Sequence, residues 1–485
     1  MIKKLLVALL AVAMMFTVVG CSKEKTETVK LDPNNPVSLT VWHYYNGMQQ
    51  EAFDTLCEEF NLSIGKEKGI YVKGYSQGSV SDLEKAINDA ADGVVGAQDM
   101  PDIFSSYADT AYATAKKVGL ADLSQYFTKD ELNAYVDGYI NEGYFYNDGA
   151  LYLFPVAKST EIMMVNKTDF EPFAEKYGVS LSDLETIEGV IEVAAKYYEY
   201  TDALTPEVEN DGKAFYGRDS MANFFVIGTK QMGAEIFEVK DGNVTLNISE
   251  DLMRRLWDAY YVPYVKGYFG AFGKFRSEDV KTGDIIAYTG STTSSMYFPD
   301  RVEGEDEAYT IEYAVCEAPI MANGEHYKVQ QGAGMAVTKS TPEKEYAASI
   351  FLKWFTQKEK NLEFVCESAY LPVLKESNTI DALDKVIAEK NLTINPKAYD
   401  SLSNVMNGFE NKKFYTSSCF ENGYSSRSVL EYNMADKAKA DRAEILNRAA
   451  NGDTYADVVA EYTGDESFKN WYDAFQTALN AAVYK

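Results

Sequence analysis

Histidine is nearly absent from this chain of 485 residues, which has only His43 and His326. Two histidines exclude an HExxH motif and a histidine-rich metal site, and they leave little room for a serine triad. A GxSxG nucleophile elbow is also missing. A pair of carboxylates, as in a glycoside hydrolase, needs no such motif, but 74 acidic residues make any chosen pair uninformative. The composition therefore predicts no metal site, no cofactor and no identifiable catalytic residue.

Glycine motifs for phosphate binding are incomplete. The stretch "GYFGAFGKF" at 267–275 lacks the Walker spacing and its Lys-Ser/Thr pair. The stretch "GAGMAV" at 332–337 lacks the third glycine of a dinucleotide fingerprint. Neither stretch predicts a nucleotide site.

Long apolar runs occur once, at the N-terminus. Lys3 and Lys4 precede an uncharged run over 5–20, which is shorter than the roughly 20 residues of a membrane span and typical of a signal-peptide core. The run ends directly before Cys21 and resembles the bacterial lipoprotein signal, in which the cysteine receives a diacylglyceryl group. We predict a signal peptide at 1–20, a lipid on Cys21 and a polar, disordered tether at 21–36. An ordinary secretory peptide with an incidental cysteine is the alternative.

The other four cysteines are widely scattered and show no metal or redox spacing: Cys57, Cys316, Cys366 and Cys419. This spacing favours free, buried thiols over a disulfide framework.

The charge balance is strongly acidic. The formal net charge of −28 becomes −30 when 1–20 is removed, because that segment contains two lysines and no acidic residue. A negative field of this size repels nucleic acid and anionic lipid, so we expect neither as a partner, and we expect membrane contact only through the lipid. About 450 residues exceed a single core and predict two or more domains.

Strands and helices alternate along the first part of the chain. "VSLTVWHYY" and "GIYVKGY" are typical of strands, a helical stripe follows each, and "MPDIFSSY" predicts a third strand. Ser81 and Glu84 have capping-box spacing at the start of the second helix. This βαβαβ order predicts a parallel, doubly wound sheet with its ligand site at the carboxyl ends of the strands.

Several segments occur in the order seen in family 1 extracellular solute-binding proteins, the receptors of ABC importers. They are "LTVWHYY", "MPDIF", "LYLFPVAKSTEIMMVNKTDF", "GDIIAYTGSTTS", "GAGMAVTKSTPEKEYAASIFLKWF" and "YLPVLKES". The resemblance covers nearly the whole mature chain and looks closest to the carbohydrate and glycerol-3-phosphate-binding branch. It implies an α/β fold of two lobes, each a mainly parallel sheet flanked by helices, with the ligand cleft between them (type II).

The resemblance also implies three crossings between lobes, which we place near 157–161, 288–291 and 338–345. The polar knot Lys158, Ser159, Thr160 and Glu161 between two apolar runs suits such a crossing, because a fully buried sheet would tolerate its charges poorly. We predict a first lobe of 37–157 plus 290–340 and a second lobe of 158–289 plus 341–485. An ordinary solvated turn is the alternative explanation for the knot.

Sugar binding needs flat aromatic rings for the faces of the pyranose and polar groups for its hydroxyls. Candidate ligand-binding residues stand at predicted strand ends, crossings and one late loop: Trp42, Tyr44, Ser106, Tyr107, Thr160, Glu161, Thr289, Gly290, Ser291, Gly332 and Arg427. Trp42 is the leading stacking candidate, and Arg427 would matter most for a phosphorylated ligand.

The sequence thus predicts a monomeric, lipid-anchored receptor on the outer face of the cell membrane that binds a carbohydrate and delivers it to an ABC permease, without catalysis. A receptor for glycerol 3-phosphate or another polyol phosphate is one alternative. A lipid-anchored glycoside hydrolase with two carboxylates and a surface adhesin without a small ligand are alternatives from other classes.

Overall fold

The structure is a computed structural model that describes residues 29–146, 148–240, 242–304 and 307–485. The predicted signal peptide and Cys21 lie outside the described residues. Within the described ranges, no helix combines the length and the apolar character that crossing a membrane would require.

Fifteen strands are present in the described ranges. They are β1 Val37–His43, β2 Ile70–Ser76, β3 Ile103–Ser106, β4 Phe154–Pro155, β5 Glu161–Asn166, β6 Tyr216–Arg218, β7 Phe237–Lys240, β8 Asn243–Leu246, β9 Ala287–Ser291, β10 Arg301–Val302, β11 Tyr309–Thr310, β12 Tyr313–Glu317, β13 Tyr327–Val329, β14 Gly334–Val337 and β15 Lys413–Tyr415.

The α-helices of the same ranges number eighteen. They are α1 Met48–Leu62, α2 Ile64–Lys68, α3 Val80–Ala91, α4 Ala108–Val118, α5 Lys129–Asn133, α6 Asp137–Asn141, α7 Lys167–Tyr177, α8 Ile187–Asp202, α9 Met221–Gln231, α10 Glu250–Val265, α11 Arg276–Thr282, α12 Pro342–Phe355, α13 Lys358–Ser368, α14 Ile380–Lys390, α15 Pro396–Met406, α16 Gly423–Ala450, α17 Tyr455–Thr463 and α18 Asp465–Val483.

The first lobe is built on a five-stranded sheet in the order β2-β1-β3-β14-β4. β1 pairs in parallel with β2 and β3, as the βαβαβ pattern predicts. β14 runs antiparallel to β3 and β4, because it enters the sheet at the edge where β3 ends, with Gly334 opposite Ser106. The carboxyl ends of β1 and β3, the end of β4 and the start of β14 therefore share one edge.

The second lobe is built on a four-stranded sheet in the order β12-β5-β9-β6. β5 is antiparallel to both β12 and β9, whereas β6 and β9 are parallel. The start of β5 and the ends of β6 and β9 share one edge, which brings Glu161, Arg218 and Ser291 together. The two-lobe α/β fold is confirmed, but the sheets are mixed rather than mainly parallel, because strands that follow a crossing enter a sheet from its cleft edge.

Each sheet is covered by an apolar core on both faces. Alternation along β5 sends Met163 and Val165 into the core shared with α9, α10 and α16, and sends Ile162 and Met164 into the core shared with α14 and α15. In the first sheet, Val41 faces the core shared with α1 and α12, whereas Trp42 faces the core shared with α3 and α4. Sheets buried on both faces leave only their edges for a ligand.

The chain crosses between the lobes at three neighbouring segments. The first, 156–160, joins β4 to β5. The second lies at 330–333, between β13 and β14, and the third at 369–375, after α13. The segments predicted at 288–291 and 338–345 lie elsewhere, since β9 is an interior strand of the second sheet and α12 packs in the core of the first lobe.

The predicted lobe boundaries divide the chain differently from the sheets and cores. β12 falls within 290–340 but pairs with β5, and α12 falls within 341–485 but packs against the first sheet. We propose a division at the three crossings instead, with 37–156 and 333–368 in the first lobe and 161–329 and 376–485 in the second.

The four cysteines of the described residues form no disulfide in the structure. Cys57, Cys366 and Cys419 are buried, and Cys316 is half-buried.

Candidate functional site: a polar cleft between the lobes

A cleft between the lobes contains two joined cavities. The large cavity has a volume of about 450 Å³ and the small cavity about 340 Å³. Both cavities are lined by Glu142 of the first lobe, by Gln330 of the second crossing and by Thr416 and Ser417 after β15. The shared lining makes them one continuous cleft with space for a ligand of more than one ring.

The first-lobe wall of the large cavity carries acidic and aromatic side chains. Tyr107 follows β3, Asp109 lies in the first turn of α4, and Glu84 lies on α3. Burial raises the pKa of Glu84 to about 7, although a hydrogen bond from Thr110 (Oγ1 to Oε1, 3.1 Å) opposes the shift. Burial likewise raises the pKa of Asp109 to about 6, opposed by the Arg427 guanidinium. This wall holds carboxyl groups that take up protons near neutral pH.

The α3 helix explains why Glu84 is available to the cleft. Its capping box is formed by Ser79 and Asp82, two residues before the predicted pair of Ser81 and Glu84. The helix begins at Val80, so Glu84 lies in its second turn, 7% exposed, and lines the large cavity.

The second-lobe wall comes from the start of α9 and from α16. The Glu431 carboxylate accepts hydrogen bonds from Ala222 N (2.8 Å) and Ser220 Oγ (3.1 Å), which ties α16 to the N-terminus of α9. α16 then presents Arg427, Tyr424 and Tyr432 to the large cavity, and the two tyrosines are 45% and 58% exposed. These rings are available to stack on a ligand.

A buried network underlies this wall. Glu161 Oε2 accepts from Arg218 Nη2 (2.8 Å), and Glu161 Oε1 accepts from Asn223 Nδ2 (3.0 Å). Asn223 Nδ2 also donates to Gln331 Oε1 (2.7 Å), and Asn223 Oδ1 accepts from Arg427 Nη2 (3.1 Å). The network connects β5, β6, α9, α16 and the second crossing, so it fixes Arg427 relative to the floor of the cleft.

The three crossings are hydrogen-bonded to one another on that floor. Lys158 N donates to Leu371 O (3.0 Å), and Ser159 N donates to Gln331 O (2.8 Å). The first crossing is thus hydrogen-bonded to both the second and the third. Together the three segments form a common hinge between the lobes.

The charge of the cleft is unbalanced. Among the described residues that line the two cavities, five are acidic, namely Glu84, Asp109, Glu142, Asp219 and Glu431, and Arg427 is the sole cation. Burial raises the pKa of Asp219 to about 6, although Arg276 opposes the shift. A dianion would meet an unfavourable field here, whereas hydroxyl groups would meet many acceptors. In the described part of the chain, no group of three or more His, Cys, Asp or Glu side chains is placed to hold a metal ion.

Two of the predicted site residues, Tyr107 and Arg427, line the large cavity. Glu161 is 6% exposed and reaches the cleft only through Asn223. Whether these side chains contact a ligand stays a prediction.

The other first-lobe candidates lie in or beneath the core. Trp42 is 5% exposed and packs against α3 and α4. The Tyr44 hydroxyl accepts hydrogen bonds from Tyr370 Oη (3.1 Å) and Ala333 N (3.4 Å), below the hinge. Ser106 is buried and donates to Tyr107 O (2.8 Å). None of the three lines either cavity.

The candidates near the crossings have structural contacts. Thr289 Oγ1 accepts from Tyr216 Oη (2.7 Å), and Ser291 Oγ accepts from Ser294 N (3.3 Å). Gly290 lies so close to Ser294 and Asp219 that a Cβ would clash. The Thr160 hydroxyl is buried without a partner among the described residues.

Gly332 is the crossing residue that requires glycine. Its φ of +92° is rarely adopted by other residues, and a Cβ there would approach Ala157 O to 2.9 Å. Its role is therefore to bring the second crossing against the first, and it lines neither cavity.

Sequence reasoning missed most of the cleft. The residues it did not identify come from helix starts and late segments: Glu84, Asp109, Glu142, Asp219, Ser220, Asn223, Gln330, Gln331, Thr416, Ser417, Tyr424, Glu431 and Tyr432. Asp109 had a usable signal, because it follows the end of the predicted strand, Tyr107, by two residues. The α16 residues lack one, since they belong to a helix that reaches the cleft only through tertiary packing.

Comparisons with known proteins agree with this architecture. A family model described as bacterial extracellular solute-binding protein matches residues 55–393. No curated protein sequence matches the chain.

Solved structures with the same fold include sugar-binding proteins. The cyclic α-maltosyl-1,6-maltose binding protein of Arthrobacter globiformis has a TM-score of 0.64 at 18% identity, over 93% of this chain and 99% of that protein. An ABC substrate-binding protein of Listeria monocytogenes in complex with cycloalternan has a TM-score of 0.62 at 17% identity, over 92% and 100%. UgpB of Mycobacterium tuberculosis in complex with glycerophosphocholine has a TM-score of 0.61 at 17% identity, over 93% and 100%. At these identities the likeness establishes the two-lobe fold.

Proposed function

The chain belongs to the bacterial extracellular solute-binding proteins, and on that premise we propose that it is the receptor of an ABC importer for a carbohydrate. The observation that carries the proposal is the cleft, which combines exposed tyrosine rings with many hydrogen-bond acceptors and a single cation. Sugar hydroxyls donate to carboxylates and amides, and pyranose faces stack on aromatic rings. The sugar-binding proteins among the solved structures with this fold support the same ligand class.

Glycerol 3-phosphate or another polyol phosphate is the second candidate, and the structural likeness to UgpB favours it. The lining charges weigh against it, because the described lining combines five acidic side chains with Arg427 as its one cation. Phosphate sites in proteins are typically built from several cations or aimed backbone N–H groups. We therefore favour an uncharged saccharide.

We expect the protein to act by closing its lobes and not by catalysis. Ligand groups that bridge both walls bind the closed form more tightly, which shifts the population toward it, and the permease would then receive the closed receptor. A receptor of this kind releases its ligand unchanged, so a glycoside hydrolase is not favoured.

A ligand screen tests the function. We expect maltotriose or mannotriose to raise the melting temperature, since a ligand at 100 times its Kd stabilises the folded state by about 2.7 kcal/mol. Chromatography of the mixture should recover the saccharide intact. Hydrolysed saccharide would support the hydrolase, and stabilisation by glycerol 3-phosphate alone would support the phosphate receptor.

Solution scattering tests the motion. A saturating ligand should reduce the radius of gyration, whereas a sugar that does not stabilise the protein should leave it unchanged. Identical curves with and without a bound ligand would argue against hinged lobes.

Anchoring through Cys21 is a further part of the proposal, supported by the signal-like segment before it. Cys21→Ala should leave uncleaved precursor or release the protein from the membrane, as judged by fractionation and mass. Membrane retention of a mature Cys21→Ala protein would contradict lipidation.

A further inference from the structure

Glu142 lies where the two cavities of the cleft meet. It follows α6 and contributes to the lining of both cavities. Its Oε2 atom accepts from Lys158 Nζ (2.7 Å) and from Gln330 Nε2 (2.8 Å). Among the described residues, none donates to Oε1, and the side chain is 10% exposed. Oε1 is therefore the oxygen that remains for a ligand.

Lys158 is the buried partner of this carboxylate. Its side chain is 1% exposed, and Nζ also donates to Gly332 O (2.6 Å). Lys158 belongs to the first crossing, whereas Gly332 and Gln330 belong to the second. One ammonium group thus connects two crossings to a carboxylate on the wall of the cleft.

The pair of Glu142 and Lys158 limits which classes of ligand the cleft can bind. A carboxylate with its second oxygen free accepts hydrogen bonds from hydroxyl groups, and charge-assisted bonds of this kind are stronger than neutral ones. Although Lys158 offsets much of its charge, this carboxylate can only accept hydrogen bonds, so an ionised phosphate or carboxylate group, which also only accepts, finds no donor at Oε1.

We propose that Glu142 is the specificity-determining carboxylate of the cleft and that Lys158 is its positioning residue. A neutral saccharide would donate a hydroxyl hydrogen bond to Glu142 Oε1, and Lys158 would link that contact to the hinge. Anionic ligands are rejected at the same point. The inference rests on the proposed carbohydrate function and adds to it the residue and the charge rule that select the ligand.

Calorimetry of Glu142→Gln with maltotriose, mannotriose and glycerol 3-phosphate tests the specificity. The saccharide bound by the wild type should lose about 10- to 100-fold in affinity, because a hydrogen bond to a charged group is lost. Glu345→Gln is the matched control, since Glu345 is a buried carboxylate paired with Lys339 (2.9 Å) outside the cleft. It should bind saccharide as the wild type does.

A double-mutant cycle tests the role of Lys158. Lys158→Met should weaken saccharide binding about as much as Glu142→Gln, but in the Glu142→Gln background it should add less than about threefold, because it acts through Glu142. The double variant also removes both buried charges, so it avoids the unpaired charge that could unfold the single variant.

Hydrogen exchange tests the link to the hinge without any ligand. Lys158→Met should speed exchange of the Ser159 and Gln331 amides, which bond the first two crossings, and Glu345→Gln should not. Unchanged exchange in Lys158→Met would overturn the link.

The outcomes separate the inference from the function. Equal saccharide affinity in wild type and Glu142→Gln would overturn the role of Glu142 and leave the receptor function standing. Binding of glycerol 3-phosphate alone would overturn both. If no saccharide binds, the proposed function fails, and the exchange measurement decides the hinge link by itself.

Discussion

Trp42 in the first lobe and two tyrosines in the second lobe are used in opposite ways, although Tyr107 of the first lobe also lines the cleft. In the first lobe, Trp42 near the end of β1 is 5% exposed and packs beneath α3 and α4. In the second lobe, Tyr424 and Tyr432 on α16 are 45% and 58% exposed and face the cavity. The first wall presents buried acids with raised pKa values, whereas the second presents the exposed rings and the sole cation of the described lining.

This difference shows that a position near a strand end does not by itself place a side chain in the cleft. The first sheet is covered by helices on both faces. Trp42 points to the face covered by α3 and α4, so its side chain is buried in the core. A helix such as α16, packed along one side only, keeps its other side for the ligand. Substitution of the buried Trp42 should therefore act mainly on stability, whereas substitutions of the exposed α16 residues should act mainly on affinity.

The largest effect should come from Trp42→Ala. Removing a buried indole leaves a cavity, so we expect a loss of about 3–5 kcal/mol in the free energy of unfolding, measured in denaturant. Trp42→Phe should lose less. Saccharide affinity of the folded protein should change by less than about threefold. A large loss of saccharide affinity with an unchanged free energy of unfolding would show that Trp42 belongs to the binding site.

The difference in the free energy of unfolding between the wild type and Glu84→Gln should depend on pH. Burial raises the folded-state pKa of Glu84 above its unfolded value, to about 7. The stabilising contribution of the neutral carboxyl is therefore fully present below the unfolded pKa and is lost as pH rises through about 7. Between pH 5 and pH 8 the wild type should lose about 2 kcal/mol relative to Glu84→Gln, which cannot ionise.

Denaturant unfolding at several pH values measures this loss. Thr110→Val removes the hydrogen bond that opposes the pKa shift, so it should move the transition to higher pH. If the free energies of unfolding of the wild type and Glu84→Gln changed equally with pH, Glu84 would not be a buried acid with a raised pKa.

The fold of the first lobe could be predicted because its strands are local in sequence. The βαβαβ order over β1, β2 and β3 places consecutive strands about thirty residues apart along the chain. The second sheet joins β5, β6, β9 and β12, which lie far apart in the chain and pair mostly antiparallel. Periodicity describes single elements and carries no information on such pairings, so the sequence did not predict the strand order of that sheet.

The residues of the candidate site can be divided in the same way, into those near strand ends located from the sequence and those placed by tertiary contacts. Tyr107 could be found because it follows a strand whose carboxyl end had been located. Arg427 was identified only through the family resemblance. Asn223 and Glu142 act through partners distant in sequence, namely Gln331 and Lys158, so only the tertiary structure reveals them.

In the second wall, Tyr432→Ala should reduce saccharide affinity by roughly 1 to 1.5 kcal/mol through lost stacking. Because the ring is 58% exposed, the free energy of unfolding should change by less than about 0.5 kcal/mol. Calorimetry and denaturant unfolding measure the two quantities. Tyr71→Ala is the control, since Tyr71 on β2 is 49% exposed but lines neither cavity. Equal affinity losses in both variants would remove Tyr432 from the site.

The smallest effect should come from Arg427→Gln. The substitution removes charged donors, so saccharide affinity should fall by about 1 kcal/mol, and Asn223 loses the hydrogen bond at its Oδ1. If the ligand is an uncharged saccharide, as proposed, the wild-type affinity should hardly change between low and high salt in calorimetry. A phosphorylated ligand would reverse both results: Arg427→Gln would then outweigh Tyr432→Ala, and affinity would fall as salt screens the contact. Either reversal would show that the lone cation, and not the exposed rings, dominates the second wall.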